Sequence, residues 1–159
     1  GTTVTVKLPF KIGKQDDLKP AAQVKGDISF KGFRALVVED NELNMEITEF
    51  LLKRHGMTVT KAADGAEALD IFTRSRVGEF DLILMDIMMP HMDGNAAASA
   101  IRALDRPDAR TVPIIAMSAN SFDDDIKESL RAGMNAHVPK PIDERTLIGT
   151  VRRLTGQDT

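Results

Sequence analysis

Between Arg34 and Thr155, short runs of consecutive apolar residues alternate with longer segments whose apolar positions recur every three or four residues. Ala35-Leu36-Val37-Val38 is the first run, and its unbroken apolar character predicts a strand covered on both faces. Leu43, Ile47, Phe50 and Leu51 follow at helical spacing, and Gly56 stands where that helix should stop. Met57 to Thr60 reads as a second strand. Asp64 followed by Glu67 has the form of a capping box, opening a helix that carries Ala68, Leu69, Ile71 and Phe72. Phe80 to Met85 predicts a third strand, and after Gly94 an alanine-rich helix presents Ala97, Ile101 and Leu104. Pro113 to Met117 is a fourth strand, followed by a helix from about Phe122 that ends at Gly133. Ala136 to Val138 is a fifth, and Asp143 caps a last helix with Leu147, Val151 and Leu154 in register. Five strand-then-helix units in about 120 residues predict an α/β fold, a doubly wound five-stranded parallel sheet with helices on both faces.

The first residues follow another rule. Val4, Val6 and Leu8 alternate with Thr3, Thr5 and Lys7, a half-buried strand pattern stopped by Pro9. A single strand cannot bury its own apolar face, so residues 1–10 read as a strand remnant of another domain. Residues 11–32, mostly Lys, Asp, Gln, Gly and Ala, read as a linker, leaving 33–155 as the folded domain.

Composition narrows the chemistry. The 159 residues carry a net charge of −3, with 42% hydrophobic and 28% charged residues. That supports an ordinary core and gives no bulk attraction for nucleic acid or an anionic membrane. Cysteine is absent, which excludes disulfides and thiolate metal sites. His55, His91 and His137 are scattered without metal-site spacing. No apolar stretch is long enough to cross a bilayer and no secretory signal opens the chain, so a cytoplasmic location is expected.

In sheets of this type, ligand sites lie beyond the carboxyl ends of the strands. The first strand ends at Glu39-Asp40, the third at Asp86 and the fourth at Ser118, and Lys140 follows the fifth. Singly, each reads as a turn, a cap or surface. Together at one edge, three carboxylates repel one another and become tolerable with a cation between them. Hard oxygen ligands without histidine or cysteine suit Mg²⁺. One Mg²⁺ and Lys140 would balance the charges of Glu39, Asp40 and Asp86, leaving a neutral pocket able to receive a phosphoryl group. Ser118 could donate a hydrogen bond to it. Asp86, the central acid, is the natural nucleophile.

These residues lie in four stretches that resemble a response-regulator receiver domain, of the kind attached to hybrid sensor histidine kinases. The stretches are Leu36-Val37-Val38-Glu39-Asp40-Asn41, Asp86-Ile87-Met88-Met89-Pro90-His91-Met92-Asp93-Gly94, Ile115-Ala116-Met117-Ser118-Ala119-Asn120 and Lys140-Pro141-Ile142. The resemblance implies a flavodoxin-like (βα)5 fold and a phosphorelay module that takes phosphate from a phosphohistidine onto Asp86. By the same resemblance, Asp40, Asp86 and the backbone carbonyl of Met88 would bind Mg²⁺ or Mn²⁺, and Glu39 would act through a water. Ser118 and Lys140 would hold the phosphoryl oxygens, and Lys140-Pro141 should be cis. The usual first acidic pair is often Asp-Asp; Glu39 in its place implies altered metal affinity. His137 occupies the position of an aromatic switch residue that moves with Ser118. Met88 and Asn120 occupy positions that govern water access to the acyl phosphate, and an apolar Met88 implies slow self-hydrolysis. The surface from the fourth helix through the last is where the family signals, around Phe122 and Gly133. Implied partners are a kinase phosphohistidine domain and a histidine phosphotransfer protein, with no nucleic acid and no direct membrane contact.

Gly1 to Pro9 is similar to the closing strand of a histidine kinase ATP-binding domain. The resemblance thus implies a parent histidine protein kinase, whose receiver portion performs only Mg²⁺-dependent self-phosphorylation and dephosphorylation. Three other readings compete. A haloacid-dehalogenase-type phosphatase needs a second Asp two residues past the nucleophile, where Met88 stands, and a cap domain. A flavodoxin-like cofactor binder needs a phosphate cradle where Glu39-Asp40-Asn41-Glu42 would repel an anion. A degenerate receiver, serving only for interaction, would not need all the chemical residues present here.

Overall fold

The computed structural model describes residues 29–119 and 123–156. The strand expected over residues 1–10, most of the linker, Asn120 and Phe122 lie outside the described residues. The elements run β1 (Arg34–Val38), α1 (Glu42–Arg54), β2 (Thr58–Ala62), α2 (Gly65–Arg74), β3 (Leu82–Asp86) and α3 (Gly94–Ala103). A short 3₁₀ helix (Pro107–Arg110) follows, then β4 (Ile114–Ser118), α4 (Asp123–Arg131), β5 (Ala136–Pro139) and α5 (Glu144–Thr155). The strands form one parallel sheet in the order β2-β1-β3-β4-β5. This is the doubly wound arrangement that the alternating pattern predicts.

Strand pleating divides the core in two. Leu36, Val38, Ile83, Met85, Ile114 and Ala116 pack with Ala68 and Phe72 of α2 and with Ala97 and Ile101 of α3. Their sequence neighbours Ala35, Val37, Leu82, Leu84, Ile115 and Met117 pack with Met45 and Leu52 of α1 and with Leu147 and Val151 of α5. Complete burial of one such Leu, Ile or Val contributes about 1.5–3 kcal/mol. This is why the three central strands are unbroken apolar runs.

Helix starts are set by short polar side chains at the carboxyl edge. Asn41, Asp64, Asp93 and Asp143 each accept a hydrogen bond from the backbone N–H three residues on, at 2.8–3.0 Å. Glu67 reaches back one residue past the Asp64 cap, accepting from the N–H of Ala63 at 2.7 Å.

Two features depart from the sequence expectation, and a third has no counterpart in it. In α1 the inward face is Met45, Thr48 and Leu52. Leu43, Ile47 and Phe50, expected on that face, are 65%, 43% and 62% exposed. Two stripes compete on this helix, and the winning one includes a threonine. Its hydroxyl donates to the Asn44 carbonyl at 2.9 Å, which lets it sit in the core without an unmet polar group. Second, Phe30 lies inside the stretch read as linker but is fully buried, and its N–H donates to the His55 carbonyl at 2.8 Å. Third, Arg106 caps the end of α2, donating to the carbonyls of Phe72, Thr73, Ser75 and Arg76. It also pairs with Asp108 at 2.7 Å and lies over the Phe72 ring.

Gly94 fixes how closely α3 approaches the end of β3. Its N–H donates to the Ile87 carbonyl at 2.9 Å, and a Cβ placed there would lie 2.2 Å from the Asp86 carbonyl oxygen. That neighbour is backbone and cannot turn away. Gly94→Ala should therefore cost about 1–3 kcal/mol in urea unfolding. Unchanged stability would show that this junction has slack.

Candidate functional site

The strand order reverses between β1 and β3, and the register across that junction brings the acidic residues together. Val38 lies opposite Met85, so Glu39, the next residue, comes beside Asp86 at the end of β3. Asp86 is paired with Met117, and Ser118 with Pro139, which brings Ser118 and Lys140 to the same edge. The Lys140 N–H donates to the Ser118 carbonyl at 2.8 Å, and Lys140-Pro141 is cis. A crevice at the switch point of a doubly wound sheet is the usual ligand position.

Lys140 joins two of the acids. Its ammonium lies 2.6 Å from Oε2 of Glu39 and 2.8 Å from Oδ2 of Asp86. Both carboxylate residues are 3% exposed, so these contacts are little screened by water. Asp40 stands at the exposed rim, and one carboxylate oxygen from each of Glu39, Asp40 and Asp86 lies within 4.8 Å of the others. The other Asp86 oxygen accepts from the Met88 N–H at 3.2 Å. Oε1 of Glu39 accepts from the Asn41 N–H at 3.3 Å and from the Asn44 side-chain amide at 3.2 Å.

The structure therefore brings Glu39, Asp40, Asp86 and Lys140 into one cluster, with Ser118 buried at the adjoining strand end. Met88 is 74% exposed at the mouth. His137 is half-buried on β5, in register with Ala116, two positions down the strand from Ser118. Asn44 belongs to the cluster and escapes the strand-end rule, because it sits in the first turn of α1. An amide three residues after the Asn41 cap is the signal that could have found it.

Electrostatics favour a cation here. Burial pushes the Asp86 carboxyl above its usual range, against the opposing pull of Lys140, and the Glu39 charge pushes the same way as burial. Burial alone would depress Lys140, but the hydrogen bonds and charges of Asp86 and Glu39 outweigh it and hold the ammonium above its ordinary value. Three carboxylates facing one ammonium leave two negative charges in excess. The donor set is all hard oxygen, and it fits Mg²⁺ or Mn²⁺ without alteration.

The raised Asp86 value has a definite sign for stability. Its ionisation is harder in the folded than in the unfolded state, so the wild type loses stability as pH rises from below the unfolded value through the folded one. Asp86→Asn cannot ionise. In buffer free of divalent cations it should melt higher than wild type at neutral pH, by on the order of a few degrees. The gap should close as pH falls below the normal carboxylate range. A neutral-pH melting point at or below wild type would contradict this account.

The response regulator receiver domain model matches residues 35–152. The chain is 37% identical over 116 residues, 72% of its length, to hybrid signal transduction histidine kinase I of Dictyostelium discoideum. It spans between 7% and 21% of the length of the first curated relatives it matches. Among solved structures, it resembles the receiver domain of sensor histidine kinase PA1611 from Pseudomonas aeruginosa, which has magnesium coordinated in its active-site cleft. That match has 39% identity and a TM-score of 0.71, and covers 79% of this chain and 98% of that one. It also resembles the structure of the Saccharomyces cerevisiae phosphotransfer protein Ypd1 with the receiver domain of Ssk1, at 26% identity and a TM-score of 0.69, covering 79% of this chain and 90% of that one. The buried acids, the lysine that joins them and the sheet that presents them have one common explanation: this chain belongs to the response-regulator receiver family, the accepting module of two-component phosphorelays.

Proposed function

We propose that Asp86 is the phosphoacceptor. The observation that carries this reading is the Lys140 ammonium held 2.8 Å from Asp86 in a buried acidic cluster. An Asp86 oxygen attacks phosphorus, the histidine N–P bond breaks as the O–P bond forms, and the imidazole leaves with the electron pair. Lys140 and the Ser118 hydroxyl hold the phosphoryl oxygens. Asp40, Asp86 and the Met88 backbone carbonyl would bind Mg²⁺ or Mn²⁺, with Glu39 acting through a water. Such an ion supplies charge neutralisation to the transferring group when bound. His137 would follow Ser118 and carry the state of the site towards β5 and α5.

Asp40 and Met88 are both exposed at the mouth, but Met88 offers its side chain no means of orienting a water. The acyl phosphate should accordingly be long-lived. Incubation with a small-molecule phosphodonor should add one phosphate by intact mass in the presence of Mg²⁺, and none to Asp86→Asn. Met88→Asn should then lose that phosphate faster than the wild type. No Mg²⁺-dependent gain in wild type would end the acceptor reading, and equal lifetimes would end the Met88 reading.

The donor and onward partner are proposed to be phosphohistidine-bearing helical proteins, a kinase domain and a phosphotransfer protein. Support comes from the exposed Ile47 of α1, which lines a groove with Lys140 and Ile142, and from Leu43 and Phe50, exposed on the same helix. The Ypd1 complex of a similar receiver supports the same class of partner. Residues 1–10 and 11–32 fit the end of an ATP-binding domain and a linker in a hybrid kinase, with 33–155 as its receiver, except that Phe30, near the end of that linker, packs into the receiver core. A cytoplasmic location accompanies this reading; no helix among the described residues is long and apolar enough to cross a membrane. Ile47→Ser with Phe50→Ser should slow transfer from a phosphotransfer protein about tenfold or more. Phosphorylation by a small-molecule donor should be unaffected. Equal slowing with both donors would show damage to the site itself.

A further inference from the structure

Glu39 differs from the other acids of the site in how it is held. Its two oxygens are divided between two parts of the fold. Oε1 is tied to the start of α1, through the Asn41 N–H and the Asn44 side-chain amide. Oε2 is buried, and its close neighbour is the Lys140 ammonium at 2.6 Å. Asn44 is itself fixed, because its N–H donates to Oδ1 of Asn41 at 3.0 Å and its carbonyl accepts the Thr48 hydroxyl at 2.9 Å. A continuous polar chain therefore runs from Thr48 through Asn44, Glu39 and Lys140 to Asp86.

We propose that Asn44 is a positioning residue for the divalent cation, acting through Glu39. The proposal rests on the cation reading given above. A glutamate has one more rotatable bond than an aspartate, so a carboxylate in this position needs an anchor to keep a fixed direction. The backbone bond from Asn41 is long and by itself leaves the carboxylate free to turn. The Asn44 amide supplies the second contact and keeps Oε2 towards the pocket. Without it, the carboxylate would be free to turn about its last bond and carry Oε2 away from the pocket, and an incoming cation would have to fix that direction itself. Helix capping does not account for the amide, since Asn41 caps through the backbone N–H of Asn44, a group that any residue there retains.

The test is Mg²⁺ binding by calorimetry to the whole chain, comparing wild type, Asn44→Ala, Glu39→Asp and the double variant. Alanine favours helix, so α1 should remain formed. Asn44→Ser, which also lacks the amide, provides a second measurement should the alanine variant fold poorly. Asn44→Ala and Asn44→Ser should weaken Mg²⁺ binding about tenfold, as loss of a ligand's supporting hydrogen bond commonly does. The phosphorylation rate at saturating Mg²⁺ should be preserved, so that the loss appears in the Mg²⁺ concentration required and not in the plateau. The shorter Asp at position 39 falls outside the reach of Asn44, so Asn44→Ala should cost nothing further in that background. Equal affinities in wild type and Asn44→Ala, or equal losses in both backgrounds, would overturn the positioning role alone. A wild type that takes up no Mg²⁺ would overturn the cation reading, and this inference with it.

Discussion

Two carboxylates almost wholly removed from water, and the half-buried ammonium between them, form the constraint around which the rest of the molecule is arranged. Burying Glu39 or Asp86 unpaired would cost several kcal/mol, and either group would escape by taking up a proton. Lys140 makes their burial tolerable, but only if three chain segments far apart in sequence end at the same depth. The parallel sheet meets that requirement. Register between β1 and β3 places Glu39 beside Asp86, and pairing of β4 with β5 brings Lys140 to the same edge. One lysine cannot balance three acids, however, and the residual negative charge is what makes the pocket receptive to a metal ion.

The surrounding helices hold this arrangement without occupying it. Side-chain caps at Asn41, Asp64, Asp93 and Asp143 settle where four helices leave the carboxyl edge, so the loops beside the acids are short and determined. Gly94 lets α3 press against the backbone of Asp86, which couples that residue to the packing of α3 on the sheet. Glu39 is tied into α1 in a corresponding way through Asn44.

Much of this was legible in the sequence because the relevant signals are local. Unbroken apolar runs mark strands buried on both faces, Asp and Asn ahead of periodic segments mark helix starts, and Asp86 and Lys140 stand directly at strand ends. What could not be read depends on contacts between distant segments. The choice between two apolar stripes on α1 turned on Thr48, whose hydroxyl is satisfied within its own helix and so tolerates burial. Arg106 carries no signal of its own until the end of α2 is brought beneath it. Phe30 sits among polar linker-like residues and shows its role only when the pocket beside His55 exists. Asn44 was hidden because the strand-end rule searches strands, while this group enters the site from a helix.

The five helices do not have equal stakes in the fold. The sides of the sheet bearing α1, α2, α3 and α5 are secured by several buried residues each, and α2 is further fastened by the Arg106 cap. In α4, by contrast, Ser129 is the one buried residue. Little apolar surface would be exposed if that helix rotated or opened, so its local opening free energy lies near the low end of what the domain offers. A charge gained at Asp86, as proposed above, would be small against the stability of the whole domain and comparable to what holds α4. The unequal distribution of buried surface thereby gives the molecule a direction in which to yield: the sheet with four helices forms a frame, and α4 is the element least fastened to it.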